Sequence, residues 1–383
     1  MAHESLGLIG YDSYSFVVEN LERSRAFYRT RFDFRELARS SQLLTERTGE
    51  IASVFAAGGV RVHLVSPVSQ ASAAGRFLRR HPAGILSLNL RVKSVDQARA
   101  LLVARGATLL GDDLDAHDRL GGRYRSFSIA TPLGDVALKF IERSDDYETF
   151  APGFDLAVQD TAPTNRFGFE AIDHVTCNLR TMKPALDWLK SVLGMEPFWD
   201  VSFHTEDVSP GRTSGSGLRS VVLWEPESGI KIACNEPLAP FFESSQIARF
   251  LYDNHGPGVA YVALAVPSLV STVDELRRRR VDFLPTPAAY YRALPDRLAR
   301  LKITNLAADP ATLEKLEIMV DGGNDRYMLQ IFARESSGLY DDERGVPFFY
   351  ELIERAGDEG FGYGNFRALV ESIEREQSRE RAR

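Results

Sequence analysis

Two side chains in this sequence have the type and setting to do chemistry. Glu351 sits in Pro347-Phe348-Phe349-Tyr350-Glu351-Leu352-Ile353-Glu354-Arg355, a strand-like run that is apolar on both faces. In a core, a lone ionised carboxylate costs on the order of several kcal/mol unless it is paired or bound to a metal. Glu351 is therefore a candidate metal ligand. His174, in Ala171-Ile172-Asp173-His174-Val175-Thr176-Cys177-Asn178, is the candidate second ligand, an imidazole facing inward from another strand-like run.

The elements that must position these residues come from a chain of 383 residues, long enough for two domains. The chain is 44% hydrophobic, 26% charged and 10% aromatic, as in a globular enzyme-sized protein. A net charge of −7, with bases interspersed among acids, argues against nucleic acid as a partner. No apolar run has membrane-spanning length, and Met1-Ala2-His3-Glu4-Ser5 lacks the features of a signal peptide, so a cytoplasmic protein with no membrane partner is expected. The only cysteines, Cys177 and Cys234, suit a reducing compartment and read as small buried hydrophobes.

The sequence repeats itself. Gly84-Ile85-Leu86-Ser87-Leu88-Asn89-Leu90-Arg91-Val92, a helical stretch from Val95 to Arg105 and Ala107-Thr108-Leu109-Leu110 form one series. It is mirrored by Gly258-Val259-Ala260-Tyr261-Val262-Ala263-Leu264-Ala265-Val266, Leu269 to Arg280, and Val281-Asp282-Phe283-Leu284. Tyr14 to Val18 with the helix Leu21 to Thr30 likewise mirrors His174 to Asn178 with the helix Met182 to Val192. Closing strands correspond at Val136 to Phe140 and Met328 to Phe332. Strand, helix and three strands make a βαβββ unit, of which four are expected, paired into an N-terminal and a C-terminal open barrel. The boundary falls in the Pro-, Thr- and Asp-rich linker 151–169, which separates residues 1–150 from 170–383. Phe366, Leu369, Val370 and Ile373 recur at i, i+3, i+4 and i+7, predicting an amphipathic lid helix over 366–376.

The C-terminal half resembles the 4-hydroxyphenylpyruvate dioxygenase family of vicinal-oxygen-chelate enzymes. The resemblance rests on Ile172-Asp173-His174-Val175, Leu218 to Val222, Asn235-Glu236-Pro237, Ser245-Gln246-Ile247, Gly256-Pro257-Gly258-Val259, Ala289-Tyr290-Tyr291, Leu329-Gln330-Ile331-Phe332, Phe349-Tyr350-Glu351 and Gly360 to Phe366, in that order. It implies an α+β fold of two vicinal-oxygen-chelate domains and an iron-dependent dioxygenase, an oxidoreductase of aromatic amino acid catabolism. It further implies Fe(II), an aromatic 2-oxo acid and dioxygen as partners, and a homodimer or homotetramer. The reaction implied is oxidative decarboxylation and ring hydroxylation of 4-hydroxyphenylpyruvate to homogentisate.

Carried onto this sequence, the family's metal ligands fall on His174, Tyr261 and Glu351, and Tyr261 stands where the family has a second histidine. Three readings of Tyr261 stay open. It could ligate as tyrosinate, which favours Fe(III); it could hydrogen-bond beside a metal, Fe(II) or another divalent ion, held by His174 and Glu351; or it could simply fill the barrel. A diverged metalloenzyme and a non-catalytic aromatic-carboxylate-binding protein are the matching alternatives. His255 falls on a loop, and His204, His3, His63, His81 and His117 are not expected to replace the missing ligand.

By the same resemblance, Ser220, Asn235, Gln246 and Gln330 are polar substrate contacts on barrel strands or strand ends. Phe332, Phe361 and Phe366 are their aromatic counterparts. Gln330, Asn365 and Phe366 are the residues expected to act in catalysis, Asn365-Phe366 matching ring hydroxylation rather than the benzylic outcome. Gly360-Phe361-Gly362-Tyr363-Gly364 lacks the lysine and spacing of a phosphate loop and reads as the turn into the lid. The N-terminal barrel, with Tyr14 and Ser87 at the repeat positions of His174 and Tyr261, is expected to serve as scaffold and subunit contact.

Overall fold

The computed structural model describes residues 4–157, 165–204, 217–239, 245–334, 347–362 and 364–365. The predicted lid helix and Phe366 lie outside the described residues.

Four βαβββ units follow one another along the chain. The first holds β1 (Leu8–Val17), α1 (Leu21–Thr30), β2 (Arg35–Ser40), α2 (Gln42–Thr48), β3 (Glu50–Ala57) and β4 (Val60–Pro67). After α3 (Ala73–Leu78), the second runs β5 (Gly84–Val92), α4 (Val95–Ala104), β6 (Leu109–His117), β7 (Arg123–Ile129) and β8 (Ala137–Arg143). The linker contributes β9 (Phe154–Leu156). The third has β10 (Ile172–Asn178), α5 (Lys183–Ser191), β11 (Glu196–His204), β12 (Gly217–Trp224) and β13 (Lys231–Pro237), followed by α6 (Gln246–Asp253). The last has β14 (Gly258–Ala265), α7 (Leu269–Arg278), three short helices α8 (Ala288–Arg292), α9 (Leu294–Leu301) and α10 (Pro310–Leu316), then β15 (Met319–Gly323), β16 (Arg326–Arg334) and β17 (Phe349–Ala356).

The two sheets have the same plan. Their orders are β6-β7-β8-β5-β1-β4-β3-β2-β9 and β11-β12-β13-β10-β14-β17-β16-β15, so in each the first strands of two units pair antiparallel at the centre. β9 extends the N-terminal sheet against β2, which makes the start of the linker part of the first domain. Alternation sorts the side chains. On β5, Leu88, Leu90 and Val92 join the main core, while Ser87, Asn89 and Arg91 take the other face.

One repeat element differs from its prediction. Val281 to Leu284 does not form the counterpart of β6; it leaves a single bridge, Phe283 to Ala333. Pro285 and Pro287 follow directly, and proline removes the amide a strand ladder needs.

The domains meet through aromatic side chains. The Tyr350 hydroxyl lies 2.5 Å from that of Tyr14 and 2.6 Å from that of Tyr28, and its ring packs on Phe32 at 5.3 Å. Each such buried ring stabilises by roughly 1.5–3 kcal/mol relative to exposure. Tyr350 so fixed in the interface, its neighbour Glu351 faces the opposite way, into the C-terminal barrel. Cys177 and Cys234 are opposed across β10 and β13 and buried. Burial pushes both thiols up, that of Cys234 to about 12, so neither is a ready nucleophile. No described helix is long and apolar enough to cross a membrane.

Candidate active site

His174, Tyr261 and Glu351 lie on three adjacent strands, β10, β14 and β17. Ala263 is paired with His174 on one side and with Glu351 on the other. Directly opposed residues point to one face of a sheet, so the imidazole and the carboxylate converge across a methyl group. His174 Nε2 stands 3.2 Å from Glu351 Oε2, with both side chains almost fully buried. Tyr261 is one pleat away, paired with Thr176 and Phe349.

The imidazole is held from behind. His174 Nδ1 lies 2.8 Å from Asp173 Oδ1. Arg355 donates to both oxygens of Asp173, Nε at 2.7 Å and Nη2 at 2.8 Å. Its remaining Nη1 donates to the carbonyls of Asp358 and Gly360, 2.9 Å each, tying down the turn after β17. Burial works against the Asp173 carboxylate, but Arg355 and His174 outweigh it and hold its pKa well below the usual range. Burial likewise opposes a proton on His174, and the Glu351 and Asp173 carboxylates overcome it, raising the pKa. Tyr261 shifts the other way for chemistry: burial first and the Glu351 charge second push its phenol up, offset in part by Thr176. With no metal bound, the tyrosine is therefore a neutral phenol at ordinary pH.

These donors can be tested against a metal. An imidazole whose Nδ1 is engaged and a carboxylate facing its Nε2 fit two positions on a divalent cation. Among the described residues no group of three or more His, Cys, Asp or Glu side chains could hold an ion. Tyr261 is the side chain the sequence offers as a third donor.

Around the pair lies an aromatic wall. Phe361 packs edge-on against His174 with centroids 4.7 Å apart and meets Phe198 at 5.8 Å and Trp199 at 5.7 Å. Phe349 stacks on Tyr261 at 4.9 Å, and Phe332, paired with Glu351, closes on both. Polar groups punctuate this wall. Asn178, Asn235 and Ser220 are register partners on β10, β13 and β12, and Asn235 Nδ2 donates to Asn178 Oδ1 at 3.1 Å. Gln330 is buried and its Oε1 has no hydrogen-bond partner, as is true of Thr176 Oγ1 and Asn365 Nδ2. Unpartnered buried polar atoms are uncommon, and the Gln330 oxygen on the barrel wall is what a polar ligand would satisfy.

The predicted residues thus divide. His174, Tyr261, Glu351, Ser220, Asn235, Gln330, Phe332 and Phe361 belong to the C-terminal barrel wall or the turn against it. Gln246 does not. It is exposed at the start of α6, because Ser245 caps that helix by accepting from Ala248 N at 3.0 Å, and it is on no strand. Asn365 is fully buried, but its Oδ1 is occupied by Tyr290 Oη at 2.6 Å and Arg297 Nη1 at 3.1 Å. Arg297 also pairs with Asp321 at 2.9 Å, and Asp321 accepts from Gly364 N at 2.7 Å. Asn365 thus anchors the C-terminal segment and presents only its Nδ2. His255 is on a turn with its Nδ1 2.9 Å from Arg80 O, away from the ligand pair. Asp173, Arg355, Thr176 and Asn178 were missed, although the Asp173-His174 dipeptide was itself a signal of an oriented imidazole.

Known proteins share this architecture. Residues 14–125 and 171–294 each match the Glyoxalase/Bleomycin resistance protein/Dioxygenase superfamily. The chain is 31% identical over 374 residues to 4-hydroxyphenylpyruvate dioxygenase of Dictyostelium discoideum, a match spanning 96% of this chain and 98% of that protein. It belongs to the 4-hydroxyphenylpyruvate dioxygenase family. The family's enzyme from Caenorhabditis elegans is 30% identical over 379 residues, covering 97% of this chain and 91% of its own. A mutant of 4-hydroxymandelate synthase from Streptomyces coelicolor superposes with a TM-score of 0.76 at 23% identity, over 97% of this chain and 99% of that one, which shows the common fold. The protein is accordingly a two-domain vicinal-oxygen-chelate enzyme of dioxygenase type.

Proposed function

We propose that the C-terminal barrel binds Fe(II) between His174 and Glu351 and carries out oxidative decarboxylation and hydroxylation of an aryl 2-oxo acid, with 4-hydroxyphenylpyruvate as substrate and homogentisate as product. The observation that carries this reading is the buried approach of His174 Nε2 to Glu351 Oε2, 3.2 Å, at the foot of an aromatic wall. A bound ferrous ion supplies Lewis-acid and redox chemistry toward the keto acid and dioxygen.

The chain's own groups have separable tasks. Asp173 accepts from His174 Nδ1 and leaves Nε2 as the donor atom, and Arg355 keeps Asp173 ionised. Glu351 supplies the negative charge. Gln330 and the Asn178–Asn235–Ser220 row orient the polar ends of the substrate, and Phe332 and Phe361 flank its ring and exclude water. Tyr261 stands beside this pair with its three readings open, as tyrosinate ligand, as hydrogen-bonding phenol or as filler of the barrel, and its variants separate them.

The test is metal analysis after anaerobic loading, followed by oxygen uptake with 4-hydroxyphenylpyruvate. One iron per chain and stoichiometric uptake are expected, both abolished in Glu351→Ala. An iron content unchanged in that variant would overturn the assignment. Full iron with no oxygen consumed would instead support a non-catalytic binding protein.

A further inference from the structure

The N-terminal barrel repeats the plan of the C-terminal one. Aligning the two sheets on their central pairs shows what replaces the metal ligands there. Ala263 is the fifth residue after Gly258, as Asn89 is after Gly84, and their partners correspond: His174 with Ser13, and Glu351 with Lys139. This moves the equivalence expected from sequence by one residue: both first strands carry a bulge at the same place, between Tyr11 and Ser13 and between Ile172 and His174, so Ser13 takes the register position of His174 and Tyr14 that of Val175. Ser87 does match Tyr261, each lying three residues after the glycine. At the place of the carboxylate, this barrel carries an ammonium group.

The charge around it does not balance. Lys139 makes no ion pair among the described residues; its described contact is the face of Tyr124, 5.8 Å from Nζ. Arg143 and Arg61 share one buried carboxylate, Asp12, at 3.2 Å and 3.7 Å. With the Arg91–Asp145 pair beside them at 2.9 Å, four cations meet two anions.

A neutral donor is left over as well. Asn89 Nδ2 donates to Ser13 Oγ at 2.9 Å and to Ser15 Oγ at 3.3 Å. Ser15 Oγ lies 3.0 Å from His63 Nδ1 and is free to donate to it. In the tautomer in which Ser15 donates to Nδ1 the ring proton is on Nε2, and this enclosed Nε2 has no hydrogen-bond partner. Beside the imidazole stand two rings, Phe150 at 5.6 Å and Phe154 at 5.4 Å, with the Arg143 guanidinium over Phe150 at 5.4 Å.

We propose that the N-terminal barrel is a second ligand site, for a small carboxylate with an aromatic or apolar body. The carboxylate accepts from Lys139 Nζ and from the His63 Nε2 hydrogen, and the body lies against Phe150 and Phe154. Uncompensated cations explain the anion, the orphan imidazole donor explains the acceptor geometry, and the aromatic pair explains why a bare inorganic ion is the poorer fit. This inference is independent of the reaction assigned to the other barrel.

Equilibrium dialysis of the full-length metal-free protein with phenylacetate, with inorganic phosphate as competitor, tests it. Binding that survives Glu351→Ala, weakens on the order of tenfold or more in Lys139→Met, and is retained in Lys139→Arg is expected. Both lysine variants should keep the wild-type oxygen uptake and far-ultraviolet circular dichroism. In the nitrogen NMR spectrum, phenylacetate should shift the His63 ring signals. Equal displacement by phosphate would overturn the choice of an organic carboxylate. Phenylacetate binding indifferent to Lys139→Met, or a His63 signal unmoved at saturation, would overturn the site itself.

Discussion

His174 and Glu351 meet because each is paired in register with the same residue, Ala263, from opposite sides. The gap between imidazole and carboxylate is therefore set by how little Ala263 projects. Replacing it with leucine puts a branched side chain where the two groups converge. We expect Ala263→Leu to fold with a stability loss of about 1–3 kcal/mol from overpacking. Iron content after anaerobic loading should fall below about a tenth of wild type, a loss of order 1.4 kcal/mol or more in binding. A thermal melt and metal analysis on one preparation separate these effects, and a full metal complement would place the ion elsewhere.

Asp173 is expected to matter nearly as much as the ligands. Asp173→Asn keeps the shape but removes the charge that faces both Arg355 and His174. It lets the imidazole turn and leaves a largely buried guanidinium without its counter-ion. Iron affinity should drop roughly 10–100-fold, as for other groups that orient a ligating histidine. A competition titration against a chelator measures it. Affinity within about twofold of wild type would show that Asp173 only anchors the turn.

How much of this arrangement could be read in the sequence depended on the range of the interactions. The glycine-led strands at Gly84 and Gly258 and the inward-facing His174 and Glu351 are local patterns, set by alternation and by the cost of burying a charge. Sequence alone sets Tyr14 against His174 where the register puts Ser13, because a slip of one residue exchanges the faces of a strand and the bulge shared by β1 and β10 leaves no mark in the sequence. Gln246 follows a serine that caps a helix, a signal that was present and outweighed by the resemblance. The Tyr290–Arg297–Asn365 cluster joins positions 68 and 75 residues apart, and no periodicity reports such a meeting. The helices α8 to α10 replaced an expected strand where two prolines forbid the ladder.

Tyr261 separates into two experiments. Tyr261→Phe deletes the hydroxyl and keeps the ring that stacks on Phe349 at 4.9 Å. A neutral phenol outside the coordination sphere predicts iron content within about twofold of wild type in that variant. A tyrosinate ligand predicts a visible charge-transfer band in the oxidised iron form, absent from Tyr261→Phe. Tyr261→His adds a second nitrogen donor as a third protein ligand and should tighten iron about tenfold or more. Homogentisate formed only by that variant would mean the natural enzyme has left the family reaction.

The N-terminal barrel should show itself in the pH dependence of stability. Burial first, and Lys139 second, lower the His63 pKa to about 3 from an ordinary value of 6.5. The folded state binds this proton less readily than the unfolded chain. Stability from His63 is therefore complete above pH 6.5 and lost as pH falls toward 3. The loss amounts to at most a few kcal/mol by linkage. His63→Gln should flatten the melting temperature over that window, and phenylacetate should protect the wild type there while leaving the variant unchanged. A wild-type profile already flat from pH 6.5 to 4 would contradict the buried neutral imidazole.

Gly362 tests whether the turn after β17 sets the substrate contacts. Its φ of +66° lies in the left-handed region, and a Cβ there would come within 2.5 Å of Gln330 Oε1 and 2.7 Å of Nε2. Gln330 is the buried amide with an unpartnered oxygen, so the absence of a side chain at 362 lets the turn close over it. Alanine would add backbone strain of roughly 1–2 kcal/mol and push the amide from its place. Because the turn is also held by Arg355 to the carbonyls of Asp358 and Gly360, it cannot simply swing away. The displacement should fall on Gln330, and with it on substrate orientation rather than on the metal. Gly362→Ala is thus expected to keep wild-type iron content and to lower kcat/KM for 4-hydroxyphenylpyruvate by about tenfold or more. Loss of iron in step with activity would show instead that the turn supports the ligand pair, through Phe361 packed on His174 at 4.7 Å.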